Sequence, residues 1–167
     1  PGATVLSVLV FFLALHGDSI KDIAFEVEDL DGVSEVLEHR GATFVEKPRA
    51  LSDANGTVRV ASVKAFGDTV HTFVARGGYK GPFLPGFEAR RRPGYDSGIV
   101  GLDHFAVNVE ARALDRWVEF YSEVLGFQAV ESWAGKEVQT DRSALHSQVL
   151  TSPDHRIRLS VNEPATG

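Results

Sequence analysis

Alternating hydrophobic and polar residues predict a first series of strands and one helix in the N-terminal half of the chain. The stretch IKDIAFEVED (20–29) has the period of two that is typical of a half-buried strand. Residues 30–41 predict a helix that Gly41 closes, and its inward side chains are Val33, Val36 and Leu37. Further strands are predicted from Ala42 to a stop at Pro48, over 58–66 and over 69–76. The order of this series is therefore β-α-β-β-β.

The same pattern returns between residues 101 and 163. A strand is predicted from Leu102 to Val109, and on it His104 and Ala106 share one face. An amphipathic helix follows and ends at Gly126, and its apolar stripe consists of Leu114, Trp117, Val118, Tyr121 and Leu125. Strands are then predicted over 128–133, 143–151 and 155–163. One imidazole is thus predicted on a strand, and imidazole is the commonest protein ligand for a transition metal.

A segment rich in glycine and proline separates the two series. Residues 77–98 contain six Gly and three Pro, a composition that sustains neither a helix nor a central strand. We therefore predict an N-terminal module over 1–76, a linker over 77–98 and a C-terminal domain from 99 to 167.

The two series can be superimposed as an internal repeat. Asp22-Ile23-Ala24 is laid on Asp103-His104-Phe105, which puts the aliphatic Ile23 in the place of His104. An aliphatic side chain cannot bind a metal, so only the second module is expected to supply a ligand. The predicted fold class is α+β, built from paired βαβββ modules with mixed, curved sheets and helices outside.

Composition and charge exclude several kinds of partner. The chain is 43% hydrophobic and 24% charged, and its net charge of -6 favours neither nucleic acid nor an anionic membrane. The apolar run Val5–Leu15 is too short to span a bilayer, and a buried strand is the prediction for it. The absence of cysteine excludes disulfides and thiolate metal sites and suits a cytoplasmic location.

Several blocks of the sequence resemble a known family. Paired βαβββ modules with a strand histidine resemble the vicinal oxygen chelate superfamily. Within it, the blocks similar to the 4-hydroxyphenylpyruvate dioxygenase family are HGDSIKDIAFEVED, FGDTVHTFVARGGYKGPFLPGF, GLDHFAVNV with FYSEVLGF, and SALHSQVL with NEPATG. The blocks occur in the family's order and extend over residues 16–167.

The resemblance implies an Fe(II) enzyme whose N-terminal module is structural. Two histidines and one glutamate would hold the iron, a set that leaves sites open for the substrate and dioxygen. The 2-oxo acid 4-hydroxyphenylpyruvate and O2 would be converted to homogentisate and CO2 in tyrosine catabolism. His104 matches the first iron histidine of the family, and Ser147 and Asn162 match polar residues that line its substrate pocket.

The family's second iron histidine and its glutamate fall beyond the equivalent of Gly167. Glu163 is not expected to replace the glutamate, because it neighbours Asn162 on a strand and points to the opposite face. The resemblance therefore implies that these 167 residues belong to a longer polypeptide and are inactive alone. In the isolated fragment, unpaired sheet edges are expected to promote association. A homo-oligomer is predicted for the protein.

Two alternatives remain open. The first is 4-hydroxymandelate synthase, which shares the substrate and the iron; its family tends to have an aliphatic residue where this chain has Asn162. The second is a vicinal oxygen chelate protein that binds a small molecule without metal and without catalysis. Product analysis with the full-length protein separates these alternatives from the dioxygenase.

Overall fold

The computed structural model describes residues 10–89, 98–130, 138–140 and 143–165. The chain divides into two compact units, Pro1–Arg90 and Arg91–Gly167. The predicted domain boundaries stay predictions, because compact units do not show where independently folding domains end. Within the described ranges, no helix has both the length and the apolar character that crossing a bilayer requires.

The first unit contains the predicted β-α-β-β-β series. Its elements are β1 (Asp22–Glu26), α1 (Leu30–His39), β2 (Phe44–Asp53), β3 (Gly56–Lys64) and β4 (Val70–Ala75). They form a sheet of order β1-β4-β3-β2, in which β1 and β4 are parallel and the other neighbours antiparallel. The parallel pair requires a crossover connection, and α1 begins that connection on one face of the sheet.

Helix α1 begins at a capping aspartate. The Oδ1 atom of Asp29 accepts hydrogen bonds from the backbone N–H groups of Asp31 and Gly32, both at 3.1 Å, which satisfies donors that have no partner within the helix. The prediction that Val36 faces inward is wrong, because its side chain is 47% exposed. The buried positions are instead Leu30, Ser34 and Leu37, spaced three and four apart as one helix face requires.

Two further predictions in this unit are wrong. The part of the Val5–Leu15 run that the structure describes, from residue 10 onward, is helical up to residue 16 rather than a strand; residues 5–9 lie outside the described ranges. A continuous apolar run has no strand period, so the pattern could not separate the two. Pro48 does not end its strand either, because β2 continues to Asp53 past register shifts around Glu46 and Arg49. Proline is tolerated there because β2 is an edge strand.

The first half of the predicted linker packs against this sheet. Tyr79 is buried against Val58, Val60 and Val74, and its hydroxyl donates a hydrogen bond of 3.0 Å to Oδ2 of Asp53. These contacts cover part of the sheet face opposite α1.

The second unit repeats the arrangement and confirms the predicted α+β fold of βαβββ series. Its elements are β5 (Phe105–Asn108), α2 (Leu114–Glu119), a π-helical turn (Phe120–Val124), β6 (Gln128–Ala129), β7 (Val138–Thr140), β8 (Ser143–Thr151) and β9 (Arg158–Pro164). The sheet has the order β5-β9-β8-β6, with β7 paired to β8. Again the first and last strands, β5 and β9, are parallel neighbours.

The helix of this unit buries the predicted stripe. Trp117 and Tyr121 are 6% and 0% exposed, and Leu114, Val118 and Leu125 are half-buried. Gly126 ends the helical segment with a φ of 76°, a conformation that glycine adopts without steric cost. Because the stripe packs against one face of the sheet, the other face is left available for a site.

Candidate functional site

Ser147 and Asn162 lie directly opposite each other on the face that the helix leaves open. Residue 147 of β8 and residue 162 of β9 are register partners, and Asn162 also pairs with Asn108 of β5. The neighbouring residues Val107 and Val161 point the other way and are 4% and 0% exposed. Alternation along the strands therefore brings two predicted site residues together on the open face.

The carboxamide of Asn162 is held by two further side chains. The hydroxyl of Ser160 donates to Oδ1 of Asn162 at 2.9 Å, and Nδ2 of Asn162 donates to Oδ1 of Asn108 at 3.4 Å. Sequence reasoning missed Ser160 and Asn108. Their signal was available, because residue 160 lies two positions before 162 on a strand and therefore shares its face.

His104 lies outside the strand on which it was predicted. Strand β5 begins at Phe105 rather than Leu102, so His104 precedes it, four residues from Asn108. That spacing corresponds to about 13 Å along the strand direction, at about 3.3 Å per residue. The imidazole is 59% exposed, so the ring faces solvent rather than an enclosed cavity. The structure thus separates His104 from the Ser147–Asn162 pair along the sheet.

A carboxylate orients the imidazole of His104. Its Nδ1 atom lies 2.8 Å from Oδ2 of Asp103, and the Nη1 atom of Arg158 lies 3.5 Å from the other carboxylate oxygen. The hydrogen bond from His104 holds the pKa of Asp103 below its ordinary value. With a proton on Nδ1, the Nε2 atom carries the lone pair that a metal ion could bind. The imidazole therefore fits the role of one metal ligand.

A complete metal site is not formed by the part of the chain that the structure describes. In those ranges, no group of three or more histidine, cysteine, aspartate or glutamate side chains is arranged to hold an ion. His104, oriented by Asp103, could supply one ligand at most, and a full coordination sphere would need further donors.

Glu163 performs a different task on the opposite face. Its Oε2 atom accepts hydrogen bonds from the backbone N–H groups of Ala113 at 2.8 Å and Leu114 at 2.9 Å. These groups begin α2 and have no partner within it, so the carboxylate caps the helix and complements its dipole. The expectation that Glu163 points away from Asn162 agrees with this contact.

Replacing Glu163 by alanine is expected to lower the free energy of unfolding by about 1–2 kcal/mol, the usual cost of removing a helix cap. Metal content of the full-length protein should stay the same, because the carboxylate faces the helix. Urea denaturation and metal analysis measure the two effects. Glu26, an exposed strand residue of the first unit, provides the matched control as Glu26→Ala. Loss of metal from the Glu163 variant would contradict the assignment.

The first unit lacks the polar pair of the open face. Equivalent hydrogen bonds, from Val27 N to the carbonyl of Val74 at 3.0 Å and from Val109 N to that of Asn162 at 2.8 Å, align the two repeats. In this alignment Val74 replaces Asn162 and its register partner Val60 replaces Ser147. Both valines are buried beneath Tyr79, so this face is filled with apolar side chains instead of forming a polar site.

The same alignment corrects the repeat that was read from the sequence. Counting back from the paired hydrogen bonds, the counterpart of His104 is Asp22 and not Ile23. Ile23 lies beside the fully buried His71, whereas Asp22 is on the opposite face and accepts a hydrogen bond from Thr72 at 2.6 Å. The sequence alignment was wrong by one residue because Asp-Ile-Ala and Asp-His-Phe share only their first residue. A shift of one residue moves every side chain of a strand to the opposite face of the sheet.

Comparison with known proteins identifies relatives over almost the whole chain. Residues 101–167 match the family described as Glyoxalase/Bleomycin resistance protein/Dioxygenase superfamily. The chain is 40% identical over 164 residues to a 4-hydroxyphenylpyruvate dioxygenase of Aspergillus fumigatus, which covers 93% of this chain and 40% of that protein. It is 39% identical over 160 residues to one of Caenorhabditis elegans, which covers 92% of this chain and 41% of the relative. The chain therefore spans about two fifths of the length of the curated relatives it matches.

Solved structures show the same fold. A mutant of 4-hydroxymandelate synthase from Streptomyces coelicolor superimposes with a TM-score of 0.72 at 23% identity, covering 94% of this chain and 44% of that one. A Mn(II)-bound glyoxalase from Novosphingobium aromaticivorans superimposes with a TM-score of 0.52 at 18% identity, covering 87% of this chain and 43% of that one. Residues 101–167 thus match the glyoxalase and dioxygenase family model, and the chain is similar over most of its length to 4-hydroxyphenylpyruvate dioxygenases.

Proposed function

We propose that the protein to which this chain belongs is an Fe(II)-dependent dioxygenase that converts 4-hydroxyphenylpyruvate and O2 to homogentisate and CO2. The identity to relatives of that name supports this proposal. The observation that carries it is the open face of the second sheet. There the polar side chains of Ser147 and Asn162 lie on neighbouring strands as register partners, and the oriented imidazole of His104 lies about 13 Å away along the strand direction.

Each of the three residues has a task in this proposal. His104 would hold the metal through Nε2, while Asp103 keeps the proton on Nδ1 and fixes the plane of the ring. Ser147 and Asn162 would bind oxygen atoms of the substrate, since a hydroxyl and a carboxamide can each donate and accept hydrogen bonds. When bound, Fe(II) would supply the centre at which dioxygen is activated for reaction with the 2-oxo acid. The separation along the sheet suits an elongated substrate with polar groups at both ends.

Turnover by the full-length protein tests the proposal. Protein loaded with Fe(II) is incubated with 4-hydroxyphenylpyruvate and O2, and the products are separated by chromatography. Homogentisate with an equal amount of CO2 is expected. Formation of 4-hydroxymandelate would support the alternative enzyme, and ligand binding without consumption of O2 would support a binding protein.

Replacing Asn162 by isoleucine should lower kcat/KM for homogentisate formation by about 10–100-fold. The variant loses hydrogen bonds to a bound oxygen, each worth about 1.5–3 kcal/mol when the partner is charged. The product should shift toward 4-hydroxymandelate, because the 4-hydroxymandelate synthase family tends to have an aliphatic residue at this position. Asn162→Ala removes the carboxamide without introducing the larger isoleucine side chain, so it separates the loss of hydrogen bonds from the effect of added volume. An unchanged product and rate in Asn162→Ile would remove the reason for preferring the dioxygenase.

Assembly and location complete the proposal. We propose a homo-oligomer in the cytoplasm, with a 2-oxo acid and O2 as partners and with no role for nucleic acid or membranes. The absence of cysteine and the net charge of -6 support this setting. Light scattering of the full-length protein gives the oligomeric state, and cell fractionation gives the compartment.

A further inference from the structure

The side chain of Tyr79 fills a pocket on the face of the first sheet opposite α1. Tyr79 belongs to the loop of residues 76–87 and not to a strand. The residue is only 9% exposed, and it packs against three buried valines of β3 and β4, namely Val58, Val60 and Val74. A loop thus supplies the aromatic ring that covers this part of the sheet, and we call the space that the ring occupies the Tyr79 pocket.

One end of the Tyr79 pocket carries a charged hydrogen-bond acceptor. The phenol hydroxyl donates to Oδ2 of Asp53 at 3.0 Å, and the backbone N–H of Gly86 donates to the same atom at 3.3 Å. The hydrogen bond that Oδ1 accepts from the backbone of Asn55, at 2.7 Å, is the main cause that holds the pKa of Asp53 below its ordinary value. Apolar walls with a carboxylate at one end match the two parts of a phenol, its ring and its hydroxyl.

The 76–87 loop is also held by contacts that do not involve the aromatic ring. The backbone N–H of Lys80 donates to the carbonyl oxygen of Asn55 at 3.1 Å. The guanidinium group of Arg76 donates to the carbonyl oxygens of Gly81, at 3.3 Å, and Phe83. These hydrogen bonds tie the loop to the turn between β2 and β3 and close the loop on itself. We therefore expect removal of the ring to leave a cavity under the loop.

The close packing around the ring depends on Gly81. A Cβ atom added at this position would overlap with the hydroxyl oxygen and the Cζ atom of Tyr79. A Cβ atom added to Gly78 of the same loop would meet no atom within 4 Å. Neither glycine has a positive φ, so left-handed strain opposes alanine at neither position. The two glycines therefore provide a matched pair of substitutions, one that displaces the ring and one that does not.

We propose that the Tyr79 pocket is a binding site for a small phenol, which the protein keeps closed with its own tyrosine. The 76–87 loop is then an internal plug, and a free phenol binds once the ring leaves the pocket. Apolar cavities in protein interiors take up small aromatic molecules, and the carboxylate of Asp53 adds a preference for a hydroxyl group. This site belongs to the first unit alone and needs neither metal nor catalysis, so it goes beyond the proposed function.

The test uses 4-methylphenol, which is the side chain of tyrosine without its backbone. Hydrogen exchange of the β3 and β4 amides is measured by mass spectrometry on the full-length protein. Tyr79→Ala should accelerate this exchange at least about 30-fold, because the cavity destabilises the sheet. We expect 4-methylphenol to bind the variant with a Kd of about 0.1–1 mM. At about ten times that Kd it should slow the exchange about tenfold, and the wild-type sheet should not respond.

Toluene, which lacks only the hydroxyl of 4-methylphenol, tests the part played by Asp53. It should bind Tyr79→Ala at least about fivefold more weakly, because it makes no hydrogen bond to the carboxylate. In the double variant Tyr79→Ala with Asp53→Ala, the two molecules should bind alike. Tyr79→Phe keeps an aromatic ring in the pocket, so its exchange should not respond to 4-methylphenol.

Gly81→Ala provides a second route to the open pocket, because it retains every atom of the tyrosine and displaces the ring. Its β3 and β4 amides should exchange faster than those of the wild type and should be protected again by 4-methylphenol. Gly78→Ala should behave as the wild type does. If Tyr79→Ala does not fold, Gly81→Ala decides the question alone.

Several outcomes would overturn the proposal. They are exchange in Tyr79→Ala and Gly81→Ala that 4-methylphenol leaves unchanged, equal protection by toluene, and an effect of 4-methylphenol that is the same in the wild type or confined to the second unit. None of these measurements requires turnover. A protein that forms homogentisate and fails this test keeps its proposed activity, and a protein without activity can still pass.

Discussion

Replacing His104 by alanine is expected to lower kcat/KM of the full-length protein by at least about a thousandfold, because a metal centre contributes several kcal/mol to the stabilisation of charge in the transition state. Iron content should fall with it, since the proposed site loses one of its few protein ligands. Folding should change little, because the imidazole is 59% exposed and exposed side chains rarely contribute more than about 0.5 kcal/mol.

The combination of these effects is the decisive feature of the His104 variant. Iron content by elemental analysis, turnover by product formation and unfolding by urea are measured on the same preparation. His39→Ala, which removes another exposed histidine from the end of α1, is the matched control and should retain iron and activity. Full activity and iron in His104→Ala would show that this residue is not a ligand. Loss of cooperative unfolding would show that it acts in the structure.

The sequence predicted the fold well because its periodicities are local. Strands β3, β4 and β8 are found within a residue or two of their predicted bounds, since each is a single alternating or apolar run between turn residues. Gly41 and Gly126 ended the two helical segments as predicted, both with positive φ. In each case the signal and its structural consequence lie within a few neighbouring residues.

The errors occur where the outcome depends on residues distant in sequence. Pro48 is compatible with β2 because that strand lies at an edge of the sheet, and the edge is set by the pairing of all four strands. The interior of α1 holds Ser34 rather than Val36, because the rotation of a helix on a sheet is decided by the fit of the whole face. Local sequence contains neither piece of information.

The candidate site shows the same division. His104, Ser147 and Asn162 could be named from the resemblance, but the pairing of residue 147 with 162 is a matter of register between β8 and β9. Strand alternation places Ser160 on the face of Asn162, but the hydrogen bonds of Ser160 and Asn108 to the Asn162 carboxamide required coordinates. The position of His104 before the strand, in contact with Asp103, likewise required coordinates.

The second large effect concerns His71, which is expected to make the first unit unstable in acid. The side chain is 0% exposed, and its Nδ1 atom lies 3.2 Å from the carbonyl oxygen of Ile23. The centroid of the His71 ring lies 5.0 Å from the ring centroid of Phe25 and 6.4 Å from that of Phe66. Burial lowers the pKa of His71 from 6.5 to about 4, with the hydrogen bond to Ile23 acting in the opposite direction.

The sign of the effect follows from proton uptake on unfolding. Between pH 6.5 and about 4 the unfolded chain binds a proton at this histidine and the folded chain does not, so acid favours unfolding. The contribution of the neutral ring is complete above pH 6.5 and is lost progressively as the pH falls toward 4. Over that interval the loss amounts to about 3 kcal/mol, at about 1.4 kcal/mol per unit of pKa difference.

A local probe is needed to observe this loss. Both tryptophans, Trp117 and Trp133, belong to the second unit, so the first unit has no tryptophan of its own to report its unfolding. Hydrogen exchange of the β3 and β4 amides, followed by mass spectrometry from pH 7 to pH 4 and corrected for intrinsic exchange, reports it directly. In His71→Phe, which fills the same apolar surroundings and does not titrate, protection should decline much less over this range. Identical pH dependence in the two proteins would mean that other groups, and not this histidine, govern the acid response of the sheet.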